Sequence, residues 1–277
     1  MIEAHLDAWA GDDDAFVEAM YRLVLRRAPE LDARERAVVR LGEGTLSRAT
    51  FVHELAVSAE LERVRQLDDA VAAGLAARAR GERLRWLSAP PATDERVVEI
   101  PWVLSRLAAG AVLEVGYANA EDAYLAALRR CEVDRLVGAD LAARELEGFE
   151  CVTADARELP FEEESFDTIL LVSTLEHIGA DNSVYGLDGE DDPGARLAAL
   201  HELRRVLRPD GELLVTVPLG EPGDHGWFRQ DDVRGWTKLF TDAGLFVEEQ
   251  EPYELGDEGW RGAPGVGADG VKYGERG

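Results

Sequence analysis

The chain has 277 residues, enough for one sizeable α/β domain and a smaller companion, and its 46% hydrophobic and 31% charged residues are ordinary for a globular protein. A formal net charge of −26, with Lys238 and Lys272 the only lysines, repels phosphate backbones and anionic membranes, so no nucleic-acid partner is expected. No apolar run approaches the ~20 residues of a membrane span, and the acidic start (Glu3, Asp7, Asp12-Asp13-Asp14) is unlike a secretory leader, so a cytoplasmic address is expected.

In chain order, residues 1–87 read as an all-helical accessory domain. Phe16, Met20, Leu23 and Val24 recur at helical spacing, as do Phe51, Leu55, Leu61 and Val64. Pro29 and Gly42-Glu43-Gly44 break this into short helices, Thr45 or Ser47 can cap the next one, and an Ala- and Arg-rich helix is expected over 67–87. Residues 88–93, with Pro90-Pro91, read as a linker.

The texture then changes. Short apolar runs at 111–115, 136–139, 151–154, 168–172, 212–217 and 246–250 predict buried strands, and the stretches 94–109, 119–130, 194–207 and 231–243 predict helices between them. Strands alternating with helices imply an α/β fold with a mostly parallel, doubly wound, Rossmann-like sheet over 94–255, preceded by the small all-α domain. Residues 256–277 read as a glycine-rich tail, in which Gly270–Tyr273 is the one stretch left for a short last strand. Cys131 and Cys151 offer neither a disulfide framework nor metal-ligand spacing.

The chemistry lies at the strand ends. Val112-Leu113-Glu114-Val115-Gly116 is a strand closing on an acid and a glycine, where backbone can approach a ligand beside the free amides of a helix start. Leu136-Val137-Gly138-Ala139-Asp140 ends a second strand on an acid placed to accept from ribose hydroxyls. Val152-Thr153-Ala154-Asp155-Ala156 sets a third acid where an adenine amino group needs an acceptor.

With Ser173-Thr174-Leu175-Glu176-His177-Ile178 and Glu202-Leu203-Arg204-Arg205-Val206-Leu207-Arg208-Pro209-Asp210-Gly211, this series resembles the class I S-adenosylmethionine-dependent methyltransferases over roughly 150 residues. The resemblance implies a transferase with S-adenosylmethionine as cofactor. It implies cofactor contacts from Glu114, Gly116, Tyr117 and Ala118, from Asp140 and Leu141, from Asp155 and Ala156, and from Ser173 and Thr174 below the sulfonium. Ala118 stands where the family has a second glycine, and alanine enters positive φ only at a cost, so the loop is expected to be reshaped or degenerate.

His177, just beyond the fourth strand, is the candidate general base, and Glu176 a weaker candidate; a packing histidine is the bland alternative. The acidic segment 179–194 around Tyr185 reads as a lid; a calcium-type loop there is disfavoured because Tyr185 takes a ligand position, so no metal is expected. The Glu-His-Ile-Gly stretch, this loop, Val217-Pro218 and Trp227-Phe228-Arg229 are together similar to a subgroup tied to bacterial surface-polysaccharide biosynthesis. That likeness implies a sugar or glycan hydroxyl as acceptor, with Tyr185, His225, Trp227 and Arg229 around it; another small metabolite, or a catalytically silent binding protein, remains open. Residues 16–60, through Phe16, Tyr21, Arg27-Ala28-Pro29, Ser47-Arg48 and Phe51, are similar to a phycobilisome-linker-like helical domain, which implies homo-oligomerisation or docking.

Overall fold

A computed structural model describes residues 11–142, 144–186 and 191–264. The expectations resting on Glu3, Asp7, Asp188, Glu190 and Gly270–Tyr273 lie outside the described residues. The chain divides into two compact units between Asp69 and Ala70.

The first unit is helical. Helix α1 (Asp13–Met20) starts at Asp12, whose carboxylate accepts from Ala15 N–H, and runs into a π turn, Tyr21–Leu25, that stops at Arg26 with φ 58°. Helices α2 (Leu31–Gly42), α3 (Arg48–Ala56) and α4 (Ala59–Ala79) follow, with Ser47 capping α3 through Thr50 N–H. Phe16, Met20, Leu41, Leu46, Phe51 and Leu55 form the core. Leu23 does not join it: the wider π turn breaks the 3.6-residue spacing, leaves Leu23 73% exposed and brings Leu25 inside.

The second unit is built on a parallel sheet. Helix α4 stops at Ala79, well short of residue 87, where Gly81 takes φ 68°. Ser88–Ala89 then forms β1. Helix α5 (Arg96–Arg106) precedes β2 (Ala111–Val115), helix α6 (Asp122–Arg129), β3 (Arg135–Asp140), β4 (Glu150–Thr153) and β5 (Phe166–Val172). Helix α7 (Ala195–Val206) leads into β6 (Leu207–Thr216). The strands lie in the order β4-β3-β2-β5-β6, all neighbours parallel. Leu113, Val115, Val137, Ile169, Leu171, Leu200 and Leu203 pack between sheet and helices, so both faces are covered and the strands read as continuous apolar runs.

A short hairpin, β7 (Gly223–Asp224) and β8 (Arg229–Gln230), precedes helix α8 (Val233–Asp242). The expected sixth parallel strand at 246–250 does not form. Phe246 is 87% exposed, while the Arg106 guanidinium of α5, stacked 4.0 Å from the Trp102 ring, draws in Glu249 at 2.6 Å and Glu251 at 2.9 Å. The expected linker and tail pair instead: β1 lies antiparallel to β10 (Gly259–Gly262), which pairs with β9 (Tyr253–Gly256). Among the described residues no helix is long and apolar enough to cross a membrane.

Candidate functional site

The chain steps outward from β2 through β3 to β4, then returns to β5 on the other side of β2. At such a reversal the connections leave in opposite directions and open a crevice beyond the carboxyl ends of β2 and β5. Most of the acids and the histidine singled out from the sequence lie around this end.

Glu114 is buried; its Oε2 accepts from Tyr124 O–H at 2.8 Å, and burial pushes its carboxyl up to about 8. Gly116 takes φ 89°, and a Cβ there would run into the Thr174 side chain, so this turn requires glycine. Ala118, inside the 3-10 turn Tyr117–Asn119, does not have positive φ, so the alanine causes no backbone strain. Its N–H donates to Asp140 Oδ2 at 2.9 Å, and Asp140 Oδ1 accepts from Ala142 N–H at 2.8 Å. Each Asp140 oxygen keeps a further lone pair. Tyr117 is buried, with its hydroxyl donating to Arg144 O at 2.6 Å and its ring over Gly138, where any Cβ would collide. It braces the loop from beneath. Leu141, next to Asp140, is 48% exposed.

Asp155 is engaged by its neighbour. Its Oδ1 accepts from Arg157 N–H at 2.8 Å and its Oδ2 from Nη2 at 2.6 Å, and the guanidinium holds the carboxyl below the usual carboxylate range. Ala156 packs half-buried on the core.

At the tip of β5, Ser173 has φ 45°. Its N–H donates to Thr216 Oγ1 at 2.9 Å, its hydroxyl donates to Glu99 Oε1 at 2.9 Å, and Thr174 O–H donates to Val172 O at 3.1 Å. Glu99, whose carboxyl is pushed up by burial, receives Arg96 Nη1 on Oε2 at 2.8 Å. Sequence reasoning missed both α5 residues. Their i, i+3 spacing marks a helical pair but not which face meets the crevice.

The 3-10 turn Leu175–His177 carries the next pair. Glu176 is 4% exposed, burial pushes its carboxyl up to about 8, and its Oε2 is buried without a hydrogen-bond partner. His177 Nδ1 lies 2.9 Å from Trp227 O. A carbonyl only accepts, so Nδ1 carries the proton and Nε2 keeps a lone pair. Burial lowers the imidazole's pKa, which favours this neutral form. Tyr185 and Trp227 stand with ring centroids 5.6 and 5.2 Å from the imidazole.

Residues on either side of 187–190 are bonded to the rest of the unit. Asp181 N–H donates to Gly226 O at 2.9 Å, and Asn182 Nδ2 donates to His177 O at 3.0 Å. Arg229, 7% exposed, pairs with Asp191 at 2.6 Å and Asp224 at 3.2 Å and donates to Asp192 O at 3.2 Å. Its guanidinium thus joins residues 191–192 to the β7–β8 hairpin. His225 is exposed and stacks on Phe228 at 4.6 Å. The structure therefore brings Tyr185 and Trp227 to His177 and leaves Arg229 and His225 in the supporting hairpin.

The donor set fits a nucleoside cofactor carrying a cation. A glycine cradle that a Cβ would fill lies at the end of β2, and lone pairs on Asp140 remain open to hydroxyl donors. Residues 113–215 match the family model described as "Methyltransferase domain". A curated relative, human "Probable tRNA methyltransferase 9B", is 28% identical over 104 residues, 38% of this chain; the chain spans a fifth (20%) of that relative's length. Among solved structures, a methyltransferase in complex with the Trm112 activator of Haloferax volcanii is 19% identical (52% of this chain, 64% of that one, TM-score 0.40). A SAM-dependent methyltransferase of Thermotoga maritima is 21% identical (61% and 84%, TM-score 0.43). Residues 113–215 thus match a methyltransferase domain and lie on the parallel sheet of a Rossmann-like core.

Proposed function

We propose that the protein is a methyltransferase that moves a methyl group from S-adenosylmethionine to a small-molecule acceptor. The observation that carries this reading is the succession of acids Glu114, Asp140 and Asp155 at the ends of β2, β3 and β4, around a glycine in left-handed conformation. Glu114, Gly116 and the Ala118 loop are assigned to the methionine side, Asp140 with Leu141 to the ribose, and Asp155 with Ala156 to the adenine. Ser173 and Thr174 floor the crevice, and Tyr117 supports it from below.

The cofactor supplies an electrophilic methyl on a sulfonium, so positioning of the acceptor does much of the work. His177 is assigned as the general base because Nε2 keeps its lone pair while Nδ1 is bound to Trp227 O. The Trp227 and Tyr185 rings form the wall on the acceptor side, and Arg229 holds that wall in place. A sugar or glycan hydroxyl is one acceptor this wall suits by stacking. The broader reading, a small metabolite, stands better because Arg229 is already occupied. The charge of −26 weighs against an RNA acceptor of the kind named for the human relative, and it suits a cytoplasmic protein. Leu23, Leu31, Val39 and Val57 of the first unit are exposed, which supports a role for it in docking or self-association.

Calorimetry with S-adenosylhomocysteine tests the reading. The wild-type chain is expected to bind, and Asp140→Ala to lose at least about tenfold in affinity, as loss of a charge-assisted hydrogen bond implies. Absence of binding by the wild type would sink the proposal.

A further inference from the structure

The turn after β5 places two acceptors at one spot. His177 Nε2 carries a lone pair, because the other ring nitrogen donates to Trp227 O. Glu176 Oε1 lies 3.8 Å from that Nε2, beyond a direct hydrogen bond but within reach of one shared donor. The Glu176 side chain is only 5% exposed, and its Oε2 has no partner. A buried polar oxygen left without a donor is costly, and a ligand that supplies protons or positive charge relieves that cost.

The surroundings favour a cation. Glu99 and Glu114 are buried near the same strand ends, and Arg96, which acts on all three carboxyls, is already hydrogen-bonded to Glu99. Tyr185 and Trp227, with ring centroids 6.4 Å apart, flank the imidazole with aromatic rings, groups whose π electrons attract cations.

We infer that the methyl acceptor is a small protonated amine, its nitrogen donating one N–H to the Glu176 carboxylate and a second to His177 Nε2 beside the rings of Tyr185 and Trp227. This rests on the methyltransferase reading above and names the acceptor class for that site. With Glu176 ionised, a hydroxyl carries one proton and serves one of the two acceptors; an ammonium serves both and neutralises the carboxylate. Transfer of one proton to Nε2 breaks an N–H bond and leaves its electron pair on the nitrogen. The amine is then neutral and nucleophilic, the imidazole becomes imidazolium, and Glu176 remains its counter-ion. The imidazolium proton passes to solvent, one per methyl group transferred.

A linked proton gives a second signature. Burial pushes the Glu176 carboxyl up to about 8, reinforced by the charges of Glu99 and Glu95 and opposed by Arg96, with His177 alongside, so near neutral pH the free site holds a proton. An arriving ammonium displaces it into the buffer.

The test is calorimetry on the full chain saturated with S-adenosylhomocysteine. The probes are N-methylethanolamine, its uncharged isostere 2-methoxyethanol, and a methyl glucoside. The amine is expected to bind at least about tenfold more tightly than the ether, a difference of about 1.4 kcal/mol, with proton release seen as a dependence on buffer ionisation heat. Glu176→Gln is expected to abolish both the preference and the release without altering S-adenosylhomocysteine affinity. Equal binding of amine and ether, binding of the glucoside alone, or no binding of any probe to the S-adenosylhomocysteine complex overturns the amine assignment and leaves the methyltransferase reading standing. Failure of S-adenosylhomocysteine itself to bind overturns both.

Discussion

His177 Nδ1 lies 2.9 Å from the backbone carbonyl of Trp227, so the turn between β7 and β8 selects the tautomer of a side chain held in the turn after β5. Backbone makes this contact, so it survives any substitution of the Trp227 side chain that preserves the hairpin.

The pH profile checks the consequence. Burial lowers the His177 pKa from its usual 6.5, so the basic form predominates at neutral pH. Turnover is expected to fall only as the pH drops through a value below 6.5, the limb moving to lower pH than for a free imidazole. His177→Ala should lower kcat by about 10² or more and leave S-adenosylhomocysteine affinity unchanged. An unaltered kcat would remove His177 from the chemistry.

Gly116→Ala should damage both stability and cofactor binding. The φ of 89° disfavours any L side chain, and the added methyl meets Thr174. Together these are expected to cost about 1–3 kcal/mol, read from urea unfolding. A variant as stable as the parent would show that the turn is not held in this conformation.

Arg106→Met strips a guanidinium hydrogen-bonded at 2.9 Å to Glu251, a carboxylate whose side chain is 3% exposed, and leaves it Arg85 at 3.9 Å. Breaking a buried pair from one side costs about 3–5 kcal/mol, and here the cation–π stack on Trp102 goes with it. Denaturant midpoints, with near-UV circular dichroism following the Trp102 environment, measure the loss. A change below about 1 kcal/mol, the range of an exposed pair, would mean the cluster is solvated.

The central sheet was legible because a strand buried on both faces is a run of Val, Leu and Ile that little else in the chain imitates. The acids ending those runs were equally plain, since Glu114, Asp140 and Asp155 interrupt or close an apolar stretch. Three things were hidden, each for a different reason. The π turn at Tyr21–Leu25 shifts the inward position from Leu23 to Leu25, which a fixed period cannot register. The stretch 246–250 opens on Phe246-Val247 as a buried strand would, yet its Glu249 follows Arg106, a partner more than a hundred residues away in sequence. Glu99 and Arg96 look like a surface pair on an amphipathic helix until the tertiary fold turns them toward Ser173. Ala118 was the opposite case: its chemistry suggested a defect, and the backbone shows that its position does not demand glycine.

The pairing of Arg106 with Glu249 and Glu251 also sets how short a working fragment of this protein can be. The residues that match the family model end at 215, but among the described residues the guanidinium on α5 is paired with carboxylates beyond α8. A fragment cut to the matching segment would discard α5, and one ending before residue 249 would bury a charge with no counter-ion. The segment that can be recognised by likeness is therefore smaller than the one that can fold, and any excised domain must run from before α5 to beyond Glu251.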